Sequence, residues 1–539
     1  MDSDSGKTKA IVIGAGMGGL ASAIRLAAAG YGVTVLERGA APGGKARAFP
    51  TAGGPIDAGP VDAGPVDAGP VDAGPTVLTL RAVFDDLFAL NGERLDDHVT
   101  LVPQPVLARH FWPDGSTLDL TPDRDTNTEA IRALSGPREA AAFLRFDTLA
   151  QSLYEAFRGP VIQSPRPDLA AIARAALRQP RLWPALLPGV SLDRLLRFYF
   201  RDPRLIQLFG RYATYVGGRP AHSPAVLSLV WRAEAQGVWG VQGGMHSLAA
   251  ALAALGERMG VTFHYATAAR RILRQNDRVS AVQTDTGRSL PCAVCIFNGD
   301  PAALTTGLLG DALPRVAPAK PSLSAQVWAF AATPGGPAAD ALLHHNLFFT
   351  ADPATEFGPI GRGETPKAQT LYICAEDRLT PARGTGPERF EIILNAPALT
   401  SPALRQSTED KDLCRTRTFQ QLQAMGLTFD ALPPLSSLTT PSDFATAFPA
   451  SQGALYGATP EGTMATFTRP TARTALAGLY LAGGGTHPGA GVPMAALSAR
   501  HAVAAIMQDR ISASTSPPTA TRGGMSTASP TTGRARSRS

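Results

Sequence analysis

The residues Ala10–Ile13 form a short apolar run, Gly14-Ala15-Gly16-Met17-Gly18-Gly19 follows at once, and LASAIRLAAAG then reads as a helix closing at Gly30. Strand, glycine turn and helix in that order constrain the chain more than any other feature. They open a parallel α/β sheet with a nucleotide site at its carboxyl edge. Gly14 permits the tight turn, Gly16 lets backbone approach a pyrophosphate, Gly18 completes the run, and Gly19 lets helix and strand pack closely. The helix N-terminus faces the phosphate charge. Such a turn alone is weak evidence, but YGVTVLER adds a second strand ending at Glu37. That is about the twenty-residue distance at which an acid binds ribose hydroxyls, and an acid there disfavours a 2′-phosphate.

After Glu37 and Arg38 comes APGGKAR, with Gly43, Gly44 and Lys45. A glycine pair brings backbone close to a ligand, with Lys45 or Arg47 supplying positive charge for a phosphate. The plain alternative is a surface turn with solvated cations. Near the other end, GLYLAGGGTHPGAGVPMAALSARHAVAAIM repeats the grammar. It reads as a strand over Leu479–Ala482, a glycine-rich turn over Gly483–Gly491 and a helix from about Pro493, a residue suited to a first helical turn. Gly484, Gly485, Gly491, Val492 and Met494 are the candidate cofactor contacts there, because a helix N-terminus presented by glycines receives an oxygen-rich group. His487 reads as an ordinary turn histidine rather than a proton donor.

With 539 residues the chain exceeds what one core serves, so two or more lobes are expected. The formal charge is +6, yet residues 511–539 hold Arg522, Arg534, Arg536 and Arg538 and no acid. The remainder is near neutral, which argues against a nucleic-acid partner. Four Cys in so long a chain cannot be a disulfide framework. Cys292 and Cys295 sit in PCAVCIFN, which reads as a strand with the two thiols on opposite sides, so no metal site is expected. MDSDSGKTKAIVIGAG lacks the apolar core and cleavage site of a signal peptide, and no window is long and apolar enough to span a bilayer.

Several motifs together resemble one known family. They are VIGAGMGGLASAIRLAAAGYGVTVLE, PGGKAR, a DAGPTVLT strand, YVGGRP at Tyr215–Pro220, VQGGMHSLAAAL from Val241, FNGDP at Phe297–Pro301 and LYLAGGGTHPGAGVPMA. In these the chain resembles the carotenoid (phytoene-type) desaturases of the flavin monoamine oxidase-like superfamily, from Ala10 to about Met507. The runs LARHFWPDGSTLDL, QLFGRYATYVGGRPA, FFTADPATEFGPIG and LYICAEDR look most similar to the branch that desaturates C3–C4 of 1-hydroxy- or 1-methoxy-carotenoids. An earlier phytoene-type desaturase or a carotenoid cis-trans isomerase would share every cofactor motif. An amine oxidase is disfavoured by the GTHPGAG turn.

The resemblance implies an α/β fold: a Rossmann-like FAD-binding lobe with an interleaved α+β substrate lobe. Residues 1–85, 236–303 and 446–508 would form the discontinuous FAD lobe, and 86–235 and 304–445 the substrate and membrane-facing lobe. A disordered basic tail would follow over 509–539. FAD is the implied cofactor and a hydrophobic carotenoid the implied substrate, while the electron acceptor stays unnamed. Flavin N5 can accept a hydride from an allylic carbon, after which a proton leaves with little help. No compact Ser/His/Asp, paired-carboxylate or His-cluster motif is present, so no catalytic side chain is assigned.

A substrate dissolved in lipid implies a membrane surface as partner, with the enzyme peripheral on the cytoplasmic side. The candidate contact is Leu169–Leu205, which mixes Leu, Ile, Trp183, Phe198, Tyr199 and Phe200 with seven Arg. The alternative for this stretch is an amphipathic helix pair forming the lobe's own core. RHFWPDGSTLDL reads as a hairpin with Phe111 and Trp112 in a core.

The stretch PIDAGPVDAGPVDAGPVDAGPTVLTL, Pro55–Leu80, repeats a pentapeptide. One Asp per copy falls far short of a calcium array or a stacking repeat, so a non-enzymatic repeat module is disfavoured. Counted from Gly44 the first copy, with Asp57, takes the place of the family's single DAGP strand. Counted back from TVLTL the last copy, with Asp72, does so. Four prolines and four glycines cannot extend a central strand, so one copy fills the strand and the rest, residues 61–75 by the first register, form a duplicated loop.

Overall fold

The computed structural model describes residues 6–50, 69–380, 386–401 and 404–515. Its nucleotide-type sheet has five parallel strands in the order Leu479–Leu481, Val294–Phe297, Lys9–Ile13, Gly32–Leu36, Thr262–His264. Both faces are covered, as a parallel sheet requires. Ala10 and Val12 point into a layer made with the helices Met17–Ala28, Met245–Arg258 and Val492–Thr515. Ile11 and Ile13, half a pleat out of phase, point into a second apolar layer beneath an antiparallel sheet of Ala269–Gln275, Arg278–Thr284 and Ser289–Pro291. These strands come from three separated stretches of the chain.

A seven-stranded sheet forms the other half, in the order Leu438–Thr439, Ser324–Ala332, Glu388–Ala396, Leu371–Ala375, His345–Phe348, Ala108–Phe111, Thr117–Leu120. Its pairs are antiparallel except His345–Phe348 with Ala108–Phe111. One face packs Trp328, Phe330, Phe348, Ile373, Phe390 and Ile392 against the helix Thr408–Ala424. By register the opposite face carries His345, Cys374 and Glu391 in one row and Leu347, Tyr372 and Ile393 in the next. The helices Pro137–Phe157, Leu192–Tyr199, Pro203–Gly210 and Leu229–Glu234 enclose an aromatic core of Phe143, Phe146, Phe200, Phe209 and Trp231. Among the described residues no helix is long and apolar enough to cross a membrane.

The hairpin is found, with Ala108–Phe111 paired to Thr117–Leu120 and both Phe111 and Trp112 buried. Other expectations need correction. The C-terminal helix runs through Thr515, past the 508 boundary, where Asp509 accepts from Arg473 and the Tyr480 hydroxyl and Arg510 lies over the Tyr31 ring; residues 516–539 lie outside the described residues. Cys292 precedes the strand Val294–Phe297 and shares one apolar layer with Cys295, so the thiols are not on opposite strand faces. The segment Leu169–Leu205 contributes to the lobe's own core and also leaves large apolar side chains exposed. Ile172, Leu182, Leu192, Leu195 and Leu196 are buried, whereas Leu177 is 76% exposed, Phe198 74% and Trp183 50%.

The repeat resolves at its last copy. Val71–Asp72 pairs antiparallel with Ala48–Phe49, the Ala73 amide donates to the Arg47 carbonyl at 2.9 Å, and both Val71 and Asp72 are buried. Residues 71–75 therefore belong to the strand pair and its exit, not to a loop spanning 61–75. A Cβ on Gly74 would stand 1.9 Å from the Lys45 carbonyl oxygen, so this copy's glycine is required by close approach. The copies before Gly69 lie outside the described residues.

Candidate functional site

The site is assembled where the two glycine turns meet. Gly14 has φ +97°, a conformation glycine adopts at no steric cost, and its amide donates to the Leu36 carbonyl. Gly16 begins the helix Met17–Ala28 with no side-chain cap, so the first helical N–H groups are left for a ligand. The Gly43 amide donates to the Ala15 carbonyl at 2.9 Å and Gly43 bridges Gly16, which zips the APGG turn onto the first one. Cβ atoms on Gly18 and Gly19 would fall 2.8 Å from the Gly483 amide nitrogen and 1.9 Å from the Gly14 carbonyl oxygen. Gly44 packs over Gly16, 3.2 Å from its Cα by the same measure. The Asn298 side chain fills the space beside Gly14, Gly16, Gly18 and Gly19 and donates to the Gly14 carbonyl at 3.2 Å.

Glu37 lies at the end of its strand, as expected. Its Oε2 accepts from the Ala15 amide at 2.6 Å and its Oε1 from the Gly39 amide at 2.8 Å. Each oxygen keeps lone-pair capacity for a ribose hydroxyl. Burial pushes its carboxyl up, against the pull of those two amides. Arg38 reaches the carbonyls of Thr446 and Ala447 at 3.2 and 3.4 Å. Lys45 donates to the Leu455 carbonyl at 2.5 Å and lies over the Phe448 ring; burial pushes its ammonium down to about 8, with Asp300 opposing. Arg47 stacks over Phe49, Phe444 and Phe448. Neither cation is a solvated surface charge.

In the C-terminal turn Gly484 and Gly485 contact protein. Arg469, itself buried, donates to the carbonyls of Gly484 at 3.0 Å and Tyr456 at 2.9 Å, and burial lowers it to about 10. A Cβ on Gly485 would stand 2.6 Å from Pro301. His487 is buried, with Nε2 at 2.9 Å from the Ser164 carbonyl and its ring stacked on His501. Gly491, Val492 and Met494 line the large cavity, of about 1110 Å³. Its walls include Thr76, Tyr154, Phe157, Leu227, Phe349 and Tyr372.

Two buried clusters form only in the fold, although Asp72 stands in the repeat copy that one register picks out. Asp72 takes the Met245 amide at 2.5 Å and so caps the helix Met245–Arg258, while its own amide donates to Glu376 at 2.6 Å. Burial raises Asp72 to about 6 and Glu376, beside Asp72, to about 8, and Glu391 well above its usual range. His344, His345 and Cys374 bring their ligand atoms within 4.8 Å of one another, all three buried. Asn298, Asp300 and Arg469 were likewise missed as site residues. FNGDP marked the first two, but a lone Arg in an aperiodic stretch marks nothing.

A family model described as flavin-containing amine oxidoreductase matches residues 17–507. The chain belongs to that family. Curated relatives include the hydroxyneurosporene desaturase of Rhodobacter capsulatus, 58% identical over 514 residues, covering 94% of this chain and 99% of the relative. That of Rubrivivax gelatinosus is 43% identical and covers 97% and 98%. The 4,4′-diapolycopene oxygenase of Methylomonas is 28% identical, covering 91% and 96%. Among solved structures, an oxidoreductase from Methanosarcina mazei matches with TM-score 0.56 at 16% identity, covering 93% of this chain and all of that one. Cyclohexylamine oxidase from Brevibacterium oxydans matches at 0.55 and 15%, covering 94% and all of that chain. These share the fold.

The family member is an oxidoreductase, and FAD is its cofactor. The residues fit that group: an uncapped helix start behind a glycine turn would receive a pyrophosphate, and Glu37 retains acceptor capacity for ribose. Gly491, at φ +115°, leaves the second helix start open at the cavity.

Proposed function

We propose that this chain is a FAD-dependent carotenoid desaturase that introduces a C3–C4 double bond into 1-hydroxy- or 1-methoxy-carotenoids of the neurosporene series. The observation that carries the reading is the cavity. At about 1110 Å³ it exceeds the ~300–1,000 Å³ of ordinary small-molecule sites and runs from the substrate-side helices to the turn that receives the flavin. The names of the relatives at 43–58% identity support the substrate class.

When bound, the flavin supplies a hydride acceptor. The chain's own residues do the rest. Phe157, Leu227, Phe349 and Met494 present an apolar wall that holds the polyene and keeps water from the reacting carbons. The glycine turns let backbone N–H groups reach the cofactor without side chains intervening.

Substrate access is part of the proposal. The exposed Leu177, Trp183 and Phe198 lie in the basic segment whose Asp193 and Arg197 also line the cavity. Docking of this patch on lipid would let a carotenoid pass from membrane to cavity without crossing water.

Incubation of FAD-loaded protein and liposomes with 1-hydroxyneurosporene, neurosporene and phytoene separately tests the reading through the red shift of a lengthened polyene. Reaction with phytoene alone would overturn the substrate choice. Flotation on the same liposomes should be weakened by Trp183→Gln with Phe198→Ser. Undiminished flotation sinks the docking patch.

A further inference from the structure

Tyr372 stands on the cavity wall, on the sheet face opposite Trp328, Phe330 and Phe390. Its hydroxyl lies 2.6 Å from Thr76 Oγ1 and 2.7 Å from His345 Nδ1. Thr76 directly follows the segment whose Gly74 packs on the Lys45 carbonyl, so this chain of groups begins beside the cofactor cradle. Behind Tyr372, His345 is buried and its Nε2 has no hydrogen-bond partner among the described residues. The His344 ring lies 4.4 Å from it, centroid to centroid. His344, Thr76, Cys374 and Asp377 line a second cavity of about 180 Å³, rimmed by the exposed Gln242, Gly243 and Thr380. That volume accommodates several waters at about 30 Å³ each. A hydroxyl and an imidazole therefore lie behind the apolar cavity, and His344, whose ring packs on that imidazole, lines the smaller polar cavity.

The inference rests on the desaturase reading. Loss of two vicinal hydrogens sends one to the flavin as hydride. The electron pair of the neighbouring C–H bond becomes the new π bond, and its proton must leave a largely apolar cavity. Of the carboxylates on that wall, Glu234 pairs with Arg211 at 3.0 Å, Asp193 pairs with Arg197 at 2.8 Å, and Asp352 is exposed and accepts from the Ala354 amide at 2.8 Å.

We propose that Tyr372 Oη is the first acceptor of that proton and that the Thr76–Tyr372–His345 chain carries it to the smaller cavity. Thr76 donates to Tyr372 and fixes its lone pair. As the substrate proton binds Oη, the original hydroxyl proton moves to His345 Nδ1, and the imidazolium releases its Nε2 proton towards the smaller cavity. Burial, with His344 and Arg211 close by, holds His345 well below its usual range, so it is neutral before the step and discharges readily after it. Tyr372 also faces Cys374, Glu391 and Tyr215, and burial raises all three, so each keeps its own proton.

The test is an anaerobic single turnover in liposomes with whichever of the three carotenoids the unaltered enzyme converts. Tyr372→Phe and His345→Gln are compared with it. Both should retain flavin absorbance and carotenoid affinity, measured by flavin fluorescence. Polyene lengthening should slow by about 10²–10³-fold, and deuterium at the carbon that loses the proton should slow it further than in the unaltered enzyme. Rates within about threefold and an unchanged deuterium effect in both variants would overturn the proposal. His345→Gln carries the test if Tyr372→Phe loses flavin, because His345 lies behind the wall. The substrate chosen by the unaltered enzyme tests the desaturase reading separately, and conversion of none of the three overturns both.

Discussion

Removing Ile56–Pro70 should leave a working enzyme, and a slightly more stable one. The cut joins Pro55 to Val71 and keeps the copy that pairs with Ala48–Phe49, whose Asp72 caps the helix Met245–Arg258. The connection from Phe49 to Val71 falls from about 21 residues to about 6, still ample for a hairpin. Closure entropy scales as (3/2)RT ln n, so the gain is about 1 kcal/mol. Because the copies are nearly identical, removing Val61–Pro75 gives the same chain with Ile for Val at the strand position, a difference of one methylene. Both deletions should match the full chain in flavin content, by the ratio of 450 to 280 nm absorbance, and in polyene lengthening. Flavin release on heating should shift up by a degree or two. Point variants separate the registers: Asp57→Asn, Asp62→Asn and Asp67→Asn should be silent, whereas Asp72→Ala should lose at least the 0.5–2 kcal/mol of a helix cap and release flavin earlier. A deletion that folds but binds no flavin, or a silent Asp72→Ala, would refute this account of the repeat.

Gly19→Ala should abolish flavin loading, since its Cβ would lie 1.9 Å from the backbone oxygen of Gly14, and equilibrium dialysis with FAD reads the loss. Arg469→Lys should lower flavin affinity, because one ammonium cannot hold the Gly484, Tyr456 and Ala458 carbonyls together; fluorescence titration would show whether affinity is unchanged. Glu376→Gln should flatten the pH dependence of stability. Glu376 is raised from 4.5 to about 8 by burial and Asp72, so the folded chain holds a proton there that the unfolded chain has lost, and stability falls as pH rises from about 4.5 to 8. Gln keeps an acceptor for the Asp72 amide, so the variant should melt higher than the unaltered chain at pH 8.5 and about equally at pH 5. A gap independent of pH contradicts it.

The nucleotide sheet was legible because its signal is local. Val12 and Ile13, the glycine turn and Ile24 follow one another in the chain, and apolar periodicity with glycine placement reports them directly. The seven-stranded sheet was legible only through resemblance, since its strands pair across more than two hundred residues, from Ala108–Phe111 to His345–Phe348. The buried polar groups were opaque for the same reason. Asp72, Glu376 and Glu391 look like three scattered acids until the fold sets them together, and His345 and Cys374 become neighbours only through antiparallel register. The DAGP register was undecidable from spacing, because both counts were internally consistent; the contact of Gly74 with Lys45 and the cap on Met245 decide it.

The motifs also mean something different from what ligand contact alone suggests. Gly18, Gly19, Gly43 and Gly485 are each barred from carrying a side chain by another part of the protein: Gly483, Gly14, Ala46 and Pro301 respectively. Asn298 touches the space of Gly14, Gly16, Gly18 and Gly483 together. The glycines that identify the cofactor therefore first allow three distant stretches of chain to meet within van der Waals distance of one asparagine. The surface left over, an uncapped helix start on one side and Gly491 on the other, is open to receive the flavin. This is why the same residues forecast the fold more securely than they forecast individual cofactor contacts: Gly16 and Gly491 remain open to a ligand, whereas Gly19 and Gly485 are consumed by assembly. Arg469 already holds that turn by its carbonyls, and a carboxylate placed there would compete for the same guanidinium.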